Sequence, residues 1–248
     1  MKELRFFYTP DPSAGQLPAE EAQHALRVLR LQMGDELHLM DGQGAFYRAV
    51  ITEAGGHHCR HRIEEILPQH PEWQGTIHLA VAPTKNMDRM EWFTEKATEI
   101  GIDRLSLLDC RFSERKVVKT DRLEKIIVAA MKQSHKAWKP QLDEVQPFKR
   151  FIAREDLPAQ RFIAHCYEMA DVRPAPEDSL AGNKPFLLDL LQPHTPALVL
   201  IGPEGDFSID EVREAEAAGF RSVSLGTSRL RTETAALTAV HMMRLANR

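Results

Sequence analysis

The stretch LVLIGPEGDFSIDEV, Leu198 to Val212, constrains the fold most, because an unbroken apolar run passes through glycines straight into a helix start. Leu198, Val199, Leu200 and Ile201 show no polar alternation, which is the pattern of a parallel strand covered on both faces. Gly202, Pro203 and Gly205 end the run. Ser208 stands three residues before Glu211, the spacing at which the hydroxyl accepts a first-turn N–H while the carboxylate accepts the N-cap N–H. The helix predicted from Ser208 stops at Gly219, a residue suited to the left-handed position after a helix. A second strand, Arg221 to Leu225, ends in Gly226, and another helix is predicted to begin near Thr232. Two glycine loops thus leave the carboxyl ends of two strands, where open α/β sheets bind their ligands.

These loops carry more charge than a turn requires: Glu204 and Asp206 in the first, Arg229, Arg231 and Glu233 in the second. No G-x-G-x-x-G follows a strand and no G-x-x-x-x-G-K-[ST] occurs, which argues against a nicotinamide enzyme and a nucleoside triphosphatase.

The chain changes texture near PQHPEWQG, Pro68 to Gly75, which reads as a linker. Before it come a helix over Pro18–Arg30, strands over Glu36–Met40 and Ala45–Thr52, and turns at Asp41–Gly44 and Gly55–Gly56. After it, strands at Thr76–Ala82, Arg104–Leu108, Arg161–His165, Ala197–Ile201 and Arg221–Leu225 mostly alternate with helices, the signature of a parallel sheet. The expectation is an α/β protein with a β-rich domain over residues 1–70 and a larger domain over residues 76–248.

Composition excludes several classes. The content is 43% hydrophobic and 27% charged, that of an ordinary globular protein. MKELRFFYTPDP lacks the apolar core of a secretory leader and no segment approaches a membrane span, so a cytoplasmic location with no membrane partner is expected. Three scattered cysteines, Cys59, Cys110 and Cys166, support neither a disulfide framework nor a zinc cluster. His57, His58, Cys59 and His61 read as a solvated loop, and no metal is expected. The net charge is −4, yet Arg111 to Lys139 holds nine basic residues against Glu114, Asp121 and Glu124. Part of that run is the wet face of an amphipathic helix, Asp121 to Ser134, but its sign bias suits phosphates.

GPEGDFS followed by LGTSRLRTETA resembles the two C-terminal signature segments of the ribosomal RNA small subunit methyltransferase E family, usually written GPEGGFS and LGPRILRTETA. HALRVLRLQMGDELHLMDGQG (His24 to Gly44), PTKNMDRMEWFTEKATEIGID (Pro83 to Asp103) and SERKVVK (Ser113 to Lys119) resemble further family segments in family order. The chain departs from the pattern in three places. Asp206 replaces a glycine, Ser228-Arg229 replaces arginine-isoleucine, and KQSHKAWKP matches only at Gln133, Ser134 and Pro140.

The resemblance implies a SPOUT-class fold that binds S-adenosylmethionine in a C-terminal trefoil knot, a PUA-like N-terminal barrel, a homodimer, and methylation of N3 of one uridine in 16S rRNA. Carried onto this sequence, it implies cofactor binding by His165, Ile201, Gly202, Glu204, Gly205, Leu225, Gly226, Leu230 and Arg231. Uracil methylation needs donors for charge building on O2 and O4 and a route for the N3 proton. Arg231 and Arg229 are the candidate donors, and Glu204 and Glu233 the candidate acceptors, with Glu233 also readable as an ordinary first-turn carboxylate. RNA contacts are assigned to Arg27, Arg30, Arg115, Lys116, Lys119, Lys132 and Lys136. The rivals are a SPOUT enzyme acting on another RNA atom and a catalytically silent RNA-binding module.

Overall fold

The computed structural model describes residues 5–56, 58–172 and 184–248. The chain divides into two compact units, Met1–Glu72 with Ile127–Lys139, and Trp73–Ile126 with Pro140–Arg248.

In the first unit, β1 (Phe6–Tyr8), α1 (Ala19–Gln23), β2 (Glu36–Met40), β3 (Ala45–Gly55) and β4 (His58–Pro68) follow in order. The strands form a sheet of order β1-β2-β3-β4, with β1 parallel to β2 and the other pairs antiparallel. The Asp41 side chain closes the β2–β3 turn by accepting the amides of Gln43 and Ala45 at 2.7 and 3.1 Å. Leu37, Leu39, Ile51 and Cys59 pack with Phe7 and Leu17 into the core.

Two expectations fail here. The single helix expected over Pro18–Arg30 is α1 followed by a π-helical turn at His24–Val28, and Arg30 has φ +56°. The solvated loop expected around His58–His61 is the start of β4. Cys59 is fully buried there, and buried His61 lies 3.0 Å through Nε2 from the Pro12 carbonyl. His57 is outside the described residues.

The second unit carries β5 (Ile77–Val81), α2 (Met87–Ile100), β6 (Arg104–Asp109), the first half of α3 (Thr120–Ser134), β7 (Gln141–Pro147), α4 (Phe148–Ile152), β8 (Gln160–Ala164), α5 (Met169–Val172), α6 (Leu187–Leu190), β9 (Ala197–Ile201), α7 (Ile209–Ala217), β10 (Arg221–Val223) and α8 (Thr232–Ala246). Its six strands form one parallel sheet of order β10-β8-β9-β5-β6-β7. Period-two alternation explains the unbroken apolar runs. Ile77, Leu79, Val81 and Val199 join Phe93 of α2 and Met243 of α8 in one core, whereas Ala80, Leu198 and Leu200 join Phe151, Phe207 and Val212 in the other.

The apolar face of α3 serves two cores: Leu123 packs with the sheet, and Met131 with Phe6 and Met40 of the first unit. The sequence bounds leave residues 127–139 in the larger domain, whereas they fall in the first unit. After β10, Ser224 forms a parallel bridge with Phe186, its N–H donating to the Pro185 carbonyl and its carbonyl accepting from Leu187 N–H, both at 2.9 Å.

Candidate active site

Both glycine loops form as expected. Ser208 caps α7 with a reciprocal capping box to Glu211, and Gly219 beyond the helix has φ +87°. Because β8, β9 and β10 are parallel, their C-terminal ends open on one side. The loops leaving them line a cleft of about 1200 Å³. His165, Ile201, Gly202, Glu204, Gly205, Leu225, Gly226, Leu230 and Arg231, all assigned to the cofactor from sequence, lie on its wall, as does Arg229. Arg229 and Arg231 are exposed, and Arg231 is the N-cap residue of α8 with no side-chain capping bond.

The loops are held by side chains that bind backbone. Glu204 Oε1 accepts the Lys85 amide at 2.8 Å, and Arg115 Nη2 donates to the Lys85 carbonyl at 2.7 Å. Asp206, at the family's glycine position, has φ +65°. Its Oδ2 accepts the Cys166 amide and its Oδ1 the Phe207 amide, both at 2.8 Å. Tyr167 donates its hydroxyl to the Phe207 carbonyl at 2.8 Å. Lys184 donates to the carbonyls of His165 and Tyr167. The loops after β8 and β9 are therefore tied together.

Buried His165 sits just beyond β8. Ser222 donates to Glu216 Oε1 at 2.7 Å, so its oxygen is left to accept from His165 Nε2 at 2.9 Å. That order places the imidazole proton on Nε2 and keeps Nδ1 an acceptor. Burial, then the nearby Lys184 charge, pushes the His165 pKa down to about 4, which keeps the ring neutral. Burial also lowers the Lys184 pKa.

The other assignments separate. Glu233 is buried and not on the cleft wall: its Oε1 lies 3.5 Å from Arg89 Nη1, and its Oε2 has no hydrogen-bond partner. The basic residues assigned to RNA fall in both units. Arg27, Arg30, Lys132 and Lys136 belong to the first unit and Arg115, Lys116 and Lys119 to the second. Lys132 pairs with Glu21 at 2.6 Å, Lys136 with Glu72 at 2.7 Å, and Lys116 with Asp109 at 3.7 Å, whereas Lys119 is exposed. Arg89 and Lys184 were missed. Arg89 stands in the resemblance segment DRMEW one turn after Asn86, which caps α2 through the Asp88 amide, and that position was the available signal. Among the described residues no His, Cys, Asp or Glu group could hold a metal ion, and no helix is long and apolar enough to cross a membrane.

Comparison with known proteins bears on the same residues. A family model described as an RNA methyltransferase domain matches residues 71–244, and one described as an RNA methyltransferase PUA domain matches residues 17–64. The chain is similar to a probable rRNA-methyltransferase from Porphyromonas gingivalis, at 42% identity and TM-score 0.87 over 98% of both chains. It is similar to a putative methyltransferase from Legionella pneumophila, solved with the bound cofactor SAM, at 29% identity and TM-score 0.83 over 98% of both chains. It is 28% identical, over 93% of its length and 89% of the relative's, to the ribosomal RNA small subunit methyltransferase E of Rickettsia conorii. The six-stranded parallel sheet is of the SPOUT type that the resemblance implied. Matched over most of its length by that family model, the chain belongs to the RNA methyltransferase domain family.

Proposed function

We propose that this chain transfers a methyl group from S-adenosylmethionine to N3 of a uridine in small-subunit rRNA. The carrying observation is the cleft at the ends of β8, β9 and β10, where two glycine loops and the exposed Arg229 and Arg231 share one wall. Relatives named as small subunit rRNA methyltransferases, and the neighbour solved with SAM, support the cofactor and the substrate class.

The residues present fit the cofactor. Ile201, Leu225 and Leu230 supply apolar surface for an adenine. A Cβ built on Gly226, which has φ +123°, meets nothing within 4 Å, so the backbone there is open to a ligand. The cleft is somewhat larger than the roughly 300–1,000 Å³ of a typical small-molecule site, which leaves room for a nucleobase beside the cofactor.

S-adenosylmethionine, when bound, supplies the electrophilic methyl group. The chain's own task is positioning and electrostatics. Arg231 and Arg229 offer planar N–H donors for the uracil oxygens as charge builds on them. Glu204 has one oxygen on the Lys85 amide, and its role is to hold the loop rather than to take the proton. The N3 proton leaves to solvent at the open side of the cleft.

We read residues 1–70 as a PUA-like RNA-recognition domain, residues 76–248 as the methyltransferase domain, and the working enzyme as a cytoplasmic homodimer. The bridge between Phe186 and Ser224 supports the expected trefoil knot, since it sets the returning chain against the outer edge of β10. Calorimetric titration with S-adenosylmethionine, followed by methyl transfer to small subunits, tests the reading. Saturable binding and transfer are expected, and their absence would overturn it.

A further inference from the structure

Among the charged side chains of the cleft wall, Arg89 belongs to none of the strand-end loops. It stands in the first turn of α2, 38% exposed along its side chain, with Nη1 3.5 Å from Glu233 Oε1. Glu233 is 8% exposed, and its Oε2 has no hydrogen-bond partner. Burying a carboxylate so incompletely satisfied is costly and calls for a reason.

Joining α2 to α8 does not require this pair, because Phe93 and Ala97 already share a core with Ala239 and Met243. Apolar residues at these two positions would join the helices at least as well. What the pair achieves, and an apolar contact would not, is a guanidinium held at the cleft wall with donors to spare. Glu233 offsets much of its charge, so Arg89 repels a sulfonium cofactor little while still offering directed N–H groups. With its charge offset, such a donor suits a neutral carbonyl oxygen that gains charge during reaction.

We infer that Arg89 contacts the carbonyl oxygens of the target nucleobase, and that Glu233 is the positioning residue that fixes its guanidinium. The inference rests on the reading of the cleft as a nucleobase-methylation site.

The test is single-turnover methylation of small ribosomal subunits, with S-adenosylmethionine affinity by calorimetry and thermal midpoints measured in parallel. The variants are Arg89→Ala, Arg89→Lys, Glu233→Gln and the double Arg89→Ala/Glu233→Gln. Arg89→Ala is expected to lose on the order of 10²-fold in rate, while cofactor affinity stays within about threefold. Arg89→Lys keeps the charge but not the planar fork, and it should stay slow. The isosteric Glu233→Gln should lose roughly 10-fold through misplacement of the guanidinium. The double variant should be no slower than Arg89→Ala, since both changes remove one interaction.

A purely structural pair would lower thermal midpoints without separating rate from cofactor affinity. Wild-type rate in Arg89→Ala, parallel loss of rate and cofactor affinity, or multiplicative losses in the double variant would each overturn the inference. Failure of the unaltered protein to methylate the subunits would instead overturn the proposed function, and the inference with it.

Discussion

Asp206 Oδ2 accepts the backbone amide of Cys166 at 2.8 Å while Asp206 itself holds φ at +65°. A left-handed aspartate carries strain that a glycine would not. It persists because the carboxylate also takes the Phe207 amide, so one side chain ties the loops after β8 and β9 together at the cleft. Two bonds to a charged acceptor, each worth roughly 1.5–3 kcal/mol, outweigh strain of about 1–2 kcal/mol.

The departure from glycine therefore reads as a stabilised loop rather than a damaged one. Asp206→Gly should lower the thermal midpoint and weaken S-adenosylmethionine binding, and Asp206→Asn should fall between. Thermal denaturation and calorimetry check this, and a more stable glycine variant would show that strain dominates.

Glu204→Gln keeps an acceptor for the Lys85 amide and should methylate at nearly the unaltered rate if, as proposed, the residue serves to hold the loop. Glu204→Ala should cost about 1 kcal/mol of stability through the lost bond. Denaturant midpoints and single-turnover rates measure both. A large rate loss in the glutamine variant would return Glu204 to the role of proton acceptor.

Acid should destabilise the protein through two buried histidines. His78 is pushed down to about 3, by burial first and then by the Arg104 charge, and His165 to about 4, by burial and then Lys184. Both fall below the unfolded value of about 6.5, so their stabilising effect is complete above that pH and fades as pH drops toward the folded values. His165→Asn should flatten the dependence of the thermal midpoint between about pH 6.5 and pH 4. An unchanged slope would mean that His165 titrates in the folded protein much as it does in the unfolded one.

Lys119 and Lys132 should separate in RNA binding. Lys119 is exposed, whereas Lys132 is paired with Glu21 and its side chain is 19% exposed. Lys119→Ala should weaken rRNA affinity and reduce the salt slope by about 1. Lys132→Ala should lower the thermal midpoint and leave the slope alone. Affinity across salt concentrations decides, and a slope change confined to Lys132→Ala would reverse the assignment.

What was legible in the sequence follows from what the residues bury. Ala197–Ile201 and Ile77–Val81 are apolar on both faces and were visible as central strands. QLDEVQP was not read as β7, because a polar edge strand carries no such run. Periodicity showed that Leu123 and Met131 share a face of α3 but not that they enter different cores. The cleft residues were legible through two glycine loops and a family resemblance. The buried state of Glu233, the Arg89 beside it and the pairing of Lys132 with Glu21 depend on contacts far apart in sequence, and no local pattern records them.

The central claim is tested most directly by incubating purified small ribosomal subunits that lack the modification with this protein and labelled S-adenosylmethionine, then digesting the 16S rRNA to nucleosides for mass spectrometry. One labelled 3-methyluridine per subunit is expected, formed by the unaltered protein and reduced on the order of 10²-fold by Arg231→Ala. Label in a ribose methyl or another base, or no label despite bound cofactor, would contradict that claim.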